Sequence, residues 1–132
     1  FTGAYIKDAS FQNVSARNCI FKRTSIQSSM FINTDFDKSN FYGVEITNSD
    51  FNLTNFAYSK FTFSNIIDSK FTNSNFKFAD FNYGYLNECK FYKFYRGRKY
   101  SRFRMCKSGK RCGWIITRHT KNNNKFYEIG EY

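Results

Sequence analysis

The sequence contains no proline, one histidine and one tryptophan, and its 132 residues include no long apolar run. Proline lacks a backbone N–H, so its absence suits a fold in which nearly every backbone donor pairs with a neighbouring strand. A transmembrane helix needs roughly 18 or more consecutive apolar residues, so none is predicted. Four cysteines are too few for a disulfide scaffold in a chain of this length, and they indicate no compartment.

Acidic residues are also scarce, because ten Asp and Glu stand against 21 Lys and Arg and leave a formal net charge of +11. Aromatic residues, in contrast, make up 22% of the chain, and 18 residues are Phe. A chain so rich in Phe can bury a core, which excludes wholesale disorder. The length fits one domain with an arm and excludes a large multidomain enzyme.

Large apolar residues recur at every fifth position from Phe1 to Phe91 without a slip. All nineteen of these positions are apolar, and thirteen of them are Phe. Two places before each large residue, from Ala4 to Cys89, stands Ala, Ser, Thr, Val, Cys or Gly. The position directly before the large residue is often Asp or Asn. An internal repeat of five residues therefore dominates the first two thirds of the chain.

Neither regular secondary structure can bury a five-residue period. A helix would spread the large residues around its circumference, and a strand would send alternate ones to opposite faces. A chain that turns a corner every five residues can bury them, because each side between two corners then points one large and one small residue inward.

The repeat resembles that of the pentapeptide-repeat family, whose units read small, Asp or Asn, Leu or Phe, polar, any residue. Ser49–Leu53 and Ala79–Tyr83 are nearly ideal units. The resemblance covers residues 1–91 and implies an all-β fold, a right-handed quadrilateral β-helix of about 4.5 coils with four units, or 20 residues, in each coil. It also implies that inner side chains 20 residues apart stack as ladders, with Ala16 as the one gap.

The net charge divides at the end of the repeat. Residues 1–91 carry nine basic and eight acidic groups (+1), whereas residues 92–132 carry twelve basic and two acidic groups (+10). We therefore divide the chain into a pentapeptide-repeat β-helix, residues 1–91, and a basic aromatic C-terminal arm, residues 92–132. Two turns within the arm predict a small three-strand β-meander, and Tyr92, Phe94 and Tyr95 are expected to cap the open end of the β-helix.

Aromatic and cationic residues alternate in the arm, which is the strongest functional feature of the sequence. Cations bind phosphates with release of counterions, and aromatic rings stack on unpaired bases. The pattern predicts a non-enzymatic scaffold that presents the arm to nucleic acid, RNA favoured over DNA, as in a large assembly such as a ribosome. An acidic protein, a membrane surface or no specific partner stay as alternatives. The predicted contacts are Tyr95, Arg96, Arg98, Lys99, Tyr100, Arg102, Arg104, Lys107, Lys110 and Arg111.

A second surface follows from the 20-residue coil. Its outermost positions, usually polar, hold Leu53, Tyr58, Phe63, Phe78 and Tyr83, and the coil length places Tyr58 under Phe78 and Phe63 under Tyr83. An exposed aromatic patch usually marks a contact. We expect Tyr58, Phe63, Phe78 and Tyr83 to bind a protein partner or to receive the folded-back arm.

The patch keeps a second function open, a protein-interaction module such as a virion component, a secreted effector or a topoisomerase-binding protein. The family's quinolone-resistance members imitate the shape and negative charge of duplex DNA, whereas this repeat has no acidic excess. At the other end, Phe1 opens the first unit with no cap before it, which predicts either upstream residues or a subunit contact there.

No catalytic set, metal site or cofactor site is predicted. His119 is the only histidine, and the repeat's acids sit at regular outer positions where they would be solvated or bond corner backbone. Cys19 and Cys89 occupy small inner slots and are expected to be buried space-fillers. Cys106 and Cys112 flank a turn and would be placed to form a disulfide in an oxidising compartment. Together with His119 they would offer three zinc ligands, but the sequence holds neither a CxxC pair nor a fourth ligand.

Overall fold

The computed structural model describes the backbone of residues 1–92, 102–106, 112–116 and 126–128, and the side chains of residues 1–89. Ten strands of three residues each lie in the first of these segments. They are β1 Tyr5–Lys7, β2 Ser10–Gln12, β3 Ser25–Gln27, β4 Met30–Ile32, β5 Glu45–Thr47, β6 Asp50–Asn52, β7 Asn65–Ile67, β8 Lys70–Thr72, β9 Tyr85–Asn87 and β10 Lys90–Tyr92. The strands are short because the chain leaves each one at a corner.

The strands stack in two parallel sheets, one with the order β1-β3-β5-β7-β9 and the other containing β2-β4-β6-β8-β10. Every pairing joins residues 20 positions apart, as in Ile6↔Ile26 and Phe11↔Phe31. The other two sides of the coil are joined by single parallel bridges with the same spacing, such as Asp35↔Asn55 and Asn40↔Lys60. Since 92 residues at 20 per coil give between four and five turns, the expected four-sided β-solenoid is confirmed.

The corners are built from backbone in the left-handed region. From Gly3 to Glu88, every fifth residue has a positive φ, between 49° and 68°, and only Gly3 and Gly43 among them are glycines. An L-residue held there costs about 1–2 kcal/mol. The spacing of five in the sequence is therefore the spacing of these corners, and the fold must offset their strain elsewhere.

Two adjacent sides of the coil close with a hydrogen-bonded turn. On one of them the N–H of Val44 donates to the carbonyl of Phe41 at 3.1 Å, and on the other the N–H of Ser59 donates to Phe56 at 3.2 Å. Positive φ at the third residue alone makes these type II turns, where glycine is the favoured residue. The remaining two sides carry β1–β10.

The core consists of stacked rings. Within the three Phe ladders, ring centroids 20 residues apart lie 4.6–5.4 Å from each other with interplanar angles of 1–16°. Rings of neighbouring ladders meet edge to face, as Phe36 and Phe41 do at 5.2 Å and 84°. From Phe21 to Leu86 the inner large residues are at most 4% exposed, whereas Phe1, in the first coil, is 65% exposed.

The small inner positions accept serine because its hydroxyl is paired. Ser49 Oγ donates to the carbonyl of Thr47 at 2.9 Å and accepts from the N–H of Ser29 at 3.2 Å. Ser69 Oγ repeats the pattern one coil later with Ile67 and with the N–H of Ser49. A hydroxyl that is satisfied twice removes the cost of burying a polar group.

Asp and Asn before the large residue serve the two turn sides. Asn55 Oδ1 accepts the N–H of Ala57 at 3.1 Å, and Asn75 Oδ1 accepts that of Lys77 at 3.0 Å. The same side chains bond along the rod, since Asn75 Nδ2 donates to Asn55 Oδ1 at 2.9 Å and Asn55 Nδ2 to Asp35 Oδ1 at 2.8 Å. These Asx turns pre-form the turn that each type II corner needs.

The repeat ends where its inner slots can no longer be filled. The next unit would place Phe94 in a small slot and Arg96 in a large apolar slot. Beyond this point, β11 (Arg102–Cys106) pairs antiparallel with β12 (Cys112–Ile116). Strand β13 (Phe126–Glu128) pairs antiparallel with β10 and becomes the sixth strand of that sheet.

The three strands of the arm do not form the expected meander. Only β11 and β12 make a hairpin, because β13 pairs instead with the edge of β10, whose N–H and C=O groups offer a ready partner. The side chains of Tyr92, Phe94 and Tyr95, expected to cap the solenoid, lie outside the described residues. The described residues include no helix long and apolar enough to cross a membrane.

Removal of a central ring should destabilise the whole rod. Phe56 is fully buried and contacts rings in its own and both neighbouring ladders. Phe56→Ala should lower the free energy of unfolding by about 3–5 kcal/mol, measured by urea denaturation. Phe63→Ala, at an exposed corner, is the matched control and should cost about 1 kcal/mol or less. Equal losses for both would contradict the ladder as the main source of stability.

At one corner, a substitution should increase the stability of the fold. Leu53 is 54% exposed at φ 54°, in a column whose other corners are Asn13, Asn33 and Asn73. Asn33 Nδ2 already donates to Asn13 Oδ1 at 2.8 Å. Leu53→Asn should raise the free energy of unfolding by about 0.5–1 kcal/mol, because Asn tolerates the left-handed region and continues the column. Leu53→Ala, which keeps the strain, should give no gain in the same urea titration.

Candidate functional site

The predicted nucleic-acid contacts fall mostly outside the described part of the chain. The backbones of Arg102 and Arg104 lie on β11. The side chains of both, and the residues Tyr95, Arg96, Arg98, Lys99, Tyr100, Lys107, Lys110 and Arg111, are outside the described residues. The arm as a nucleic-acid interface therefore stays a prediction from the sequence, with its backbone tied to the solenoid at β10 and β13.

The predicted aromatic patch is brought together by the coil. Tyr58 and Phe78 lie 5.1 Å apart between ring centroids and are tilted by 32°, and Phe63 and Tyr83 lie 4.9 Å apart at 10°. We call these two pairs the aromatic columns. Each ring is 48–60% exposed. Because the columns occupy consecutive corners, they border one side of the last two coils.

The local backbone gives no reason for aromatic residues at these positions. All four rings sit at the third residue of a type II turn, with φ between 55° and 58°. In the lower coils the same two corners hold Gly3, Asn18, Arg23, Lys38 and Gly43. Glycine and asparagine suit this backbone better than Phe or Tyr. Bulky rings held in a strained conformation on the surface are typical of contact sites.

Cations lie on the rings of this surface. Lys77 Nζ is 5.6 Å from the centroid of Phe78, and Lys22 Nζ is 5.3 Å from that of Tyr42. The Tyr42 ring in turn lies 5.6 Å from Phe63. These distances are those of cation–π contacts, so the rings hold cations beside them at the surface.

Sequence reasoning named the columns but missed Tyr42 and the lysines. The 20-residue register places Tyr42 and Lys22 in one column of outward residues, so their contact could have been predicted from the sequence. The contact between Tyr42 and Phe63 runs diagonally between columns, however, and no period predicts such a contact.

The ion pairs of the solenoid lie away from the columns. Arg17 Nη2 is 2.8 Å from Asp37 Oδ2, Arg17 Nε is 3.7 Å from Asp35 Oδ2, and Lys70 Nζ is 4.0 Å from Asp50 Oδ2. The hydrogen bond to Asp37 raises the pKa of Arg17. Asp37 is 6% exposed, so the expectation that the outer acids are solvated or bond corner backbone is wrong for this residue, because the Arg17 side chain covers it.

The two cysteines of the solenoid differ in burial. Cys89 is 2% exposed, and desolvation raises its pKa to about 12, which confirms it as a space-filler. Cys19 lies in the less covered first coil and is partly buried. Cys106 and Cys112 are paired in register across the β11–β12 hairpin, but their side chains and His119 lie outside the described residues. Within residues 1–89, no three His, Cys, Asp or Glu side chains are grouped as a metal site.

Thiol labelling should separate the two solenoid cysteines. In a chain with Cys106→Ser and Cys112→Ser, Cys19 should react with a thiol reagent at pH 8 at least about tenfold faster than Cys89, whose thiolate is suppressed by burial. Mass spectrometry of labelled peptides measures both rates. Full unfolding in urea should make the rates similar, and equal rates in the native protein would contradict a closed C-terminal coil.

Comparison with known proteins identifies the repeat. The family model for pentapeptide repeats matches residues 19–56 and 54–91 with eight copies. No curated protein matches the sequence. The solenoid continues the same geometry through residues 1–18, so the first coil belongs to the repeat as well.

Solved structures that are similar to the chain include the following three. A pentapeptide repeat protein from the Arabidopsis thaliana thylakoid lumen is 15% identical over 62% of this chain and 61% of its own, with a TM-score of 0.36. Trypsin-treated QnrB1, a plasmid-mediated fluoroquinolone resistance protein, is 13% identical over 69% and 55%, with a TM-score of 0.39. Rfr23, a pentapeptide repeat protein of the cyanobacterium Cyanothece 51142, is 9% identical over 71% and 88%, with a TM-score of 0.41. The chain thus spans less than two thirds of the first two proteins.

Proposed function

The chain belongs to the pentapeptide-repeat family, and we propose that it is a non-enzymatic scaffold whose rigid solenoid presents the basic arm to nucleic acid. One observation carries the proposal. Of the net charge of +11, +10 lies in residues 92–132 and +1 in the solenoid. A charge so concentrated selects a polyanionic partner.

The pairing of β13 with β10 supports this role. It ties the backbone of the arm to the last coil at both Lys90–Tyr92 and Phe126–Glu128. Both ends of the segment between these strands are therefore held at the solenoid, and a segment held at both ends loses less conformational entropy on binding than a free tail does. The solenoid would hold the arm in place, and the arm would carry the positive charge that binds the nucleic acid.

RNA is favoured over duplex DNA by the aromatic residues of the arm. Tyr95 and Tyr100 alternate with Arg96, Arg98 and Lys99. Aromatic and guanidinium planes stack on unpaired bases, which occur in the loops and ends of structured RNA and not within a duplex. Imitation of DNA, in contrast, would need an acidic surface, and the net charge of the solenoid is +1.

Neutralising the arm should remove nucleic-acid binding. With Arg98, Lys99, Arg102, Arg104, Lys110 and Arg111 all changed to Gln, affinity for a structured RNA should fall at least about a hundredfold at 50 mM salt. The slope of log affinity against log salt should become shallower by about four, because each cation that no longer neutralises a phosphate reduces the slope by about 0.7. Fluorescence anisotropy over a salt series measures both.

The control keeps the charge and changes the side chains. Changing the four arginines of this set to Lys should preserve most of the salt slope, because each phosphate still meets a cation. An unchanged slope in the Gln variant, or RNA binding by the parent protein that does not depend on salt, would refute the arm as the interface.

A further inference from the structure

The net charge of the solenoid is small, but its charged residues are distributed unevenly over the surface. The side bordered by the aromatic columns, corners included, consists of residues 18–23, 38–43, 58–63 and 78–83; we call it the basic aromatic side. Its charged residues are Lys22, Arg23, Lys38 and Lys60 against Asp80, a net charge of +3. The rest of the solenoid is therefore at −2, and its opposite corner column holds Asp8, Asp68 and Glu88.

The cations of this side are available at the surface. The side chains of Lys22, Arg23, Lys38 and Lys60 are exposed. Within residues 1–89, the ion pairs with acidic residues are formed by Arg17 and Lys70. Lys60 stands in the same coil as Tyr58 and Phe63 and pairs by a β-bridge with Asp80 of the next coil, whereas the other three cations lie in the coils below the columns. Lys38 sits below Tyr58 in the same corner column, and Lys22 lies over Tyr42.

We infer that the basic aromatic side is itself a binding surface for single-stranded nucleic acid, with bases against the aromatic columns and phosphates on Lys60 and on the cations of the coils below. The inference rests on the proposed function for the class of partner and adds a site in the solenoid that the arm does not contain. Alternating cations and rings are the arrangement that single-strand binding proteins use, with bases on the rings and phosphates on the cations.

A single strand fits this surface better than the other polyanions. A duplex keeps its bases stacked inside, so it would use the lysines and leave the rings without a contact. A membrane would take an apolar surface, yet the outward positions between the columns are Lys60, Thr62, Asp80 and Asn82. The rings also occupy corners with a positive φ, where glycine or asparagine would be less strained.

The surface lies at the arm's end of the rod. Tyr83 precedes β9 and β10 directly in the chain, and the arm begins after Tyr92. The columns therefore lie within about one coil, roughly 4.8 Å along the rod, of the point where the arm begins. The solenoid would then contribute a fixed stacking platform beside the charged arm.

The test uses the full chain, a ring variant, and a charge variant with a matched control. In the ring variant, Tyr58, Phe63, Phe78 and Tyr83 are all changed to Asn, which suits the left-handed corner and keeps the fold. In the charge variant, Lys38→Gln and Lys60→Gln are combined, and its control combines Lys7→Gln and Lys70→Gln on other sides. The probes are a fluorescent 12-nucleotide oligouridylate and a duplex RNA of equal length, measured by anisotropy over a salt series.

The ring variant should lose at least about tenfold in affinity for the single strand, with an unchanged salt slope and an unchanged duplex affinity. The charge variant should flatten the salt slope by about one to two, and its control should not. Circular dichroism melting confirms that each variant is folded. Parent-like affinity for the single strand in the folded ring variant overturns the inference, while the response of the arm variant decides the proposed function separately.

The ring variant also distinguishes two other possible occupants of the aromatic columns, the arm itself and an acidic protein. If the columns seat the arm, the ring variant should become more sensitive to trypsin within residues 93–111, with single-strand affinity unchanged. If they bind an acidic protein, the ring variant should no longer bind that protein while its single-strand affinity is unchanged. Either result overturns the inference.

Discussion

The structure depends on one backbone constraint, a left-handed corner at every fifth residue. Sixteen of the corners between Gly3 and Glu88 are formed without glycine, at a cost of up to about 1–2 kcal/mol each, which is smaller for Asn and Asp. The strain is offset because each corner points one large side chain into the core, where its burial stabilises the fold by about 1.5–3 kcal/mol. The N–H of the corner residue is also satisfied by the coil above, as Phe63 donates to the carbonyl of Asn82 at 3.1 Å. A shift of the repeat by one residue would lose both the burial of the large side chain and the hydrogen bond of the corner N–H, which explains why the period never slips.

The same constraint sorts the surface into columns. Outward residues 20 positions apart stack on each other, so a substitution in one unit acts next to its counterparts one coil above and below. Asn13 and Asn33 bond in one such column, and Phe63 and Tyr83 stack in another. A rigid rod with column surfaces can therefore collect like residues along one side, and the basic aromatic side and the acidic corner opposite it are two results of this sorting.

Most of the solenoid could be predicted from the sequence, because a period specifies its own contacts. The ladders, the partial burial of the first coil and the stacking of Tyr58 on Phe78 follow from adding 20 to a residue number. Contacts that cross between columns, such as that of Tyr42 with Phe63, do not follow. Within a column the period predicts which residues are neighbours, but not how far a side chain reaches. The burial of Asp37 depends on the reach of Arg17 from the coil below, and the cation on Tyr42 depends on the conformation of Lys22. The pairing of β13 could not be predicted either, since the open edge of β10 competes with the hairpin for the same strand and no local pattern decides between them.

The distribution of charge over this surface matters more for binding than the net charge of the chain. The average of +11 divides first into +10 on the arm and +1 on the solenoid, and the +1 divides again into +3 on one side and −2 on the rest. Electrostatic attraction falls off within about 8–10 Å at physiological salt, so a partner responds to the local distribution and not to the sum. A polyanion near the C-terminal coil would meet the arm and the basic aromatic side and would be repelled from the acidic corner. The orientation of the rod on such a polyanion would then follow from the positions of the columns, which the five-residue corner determines.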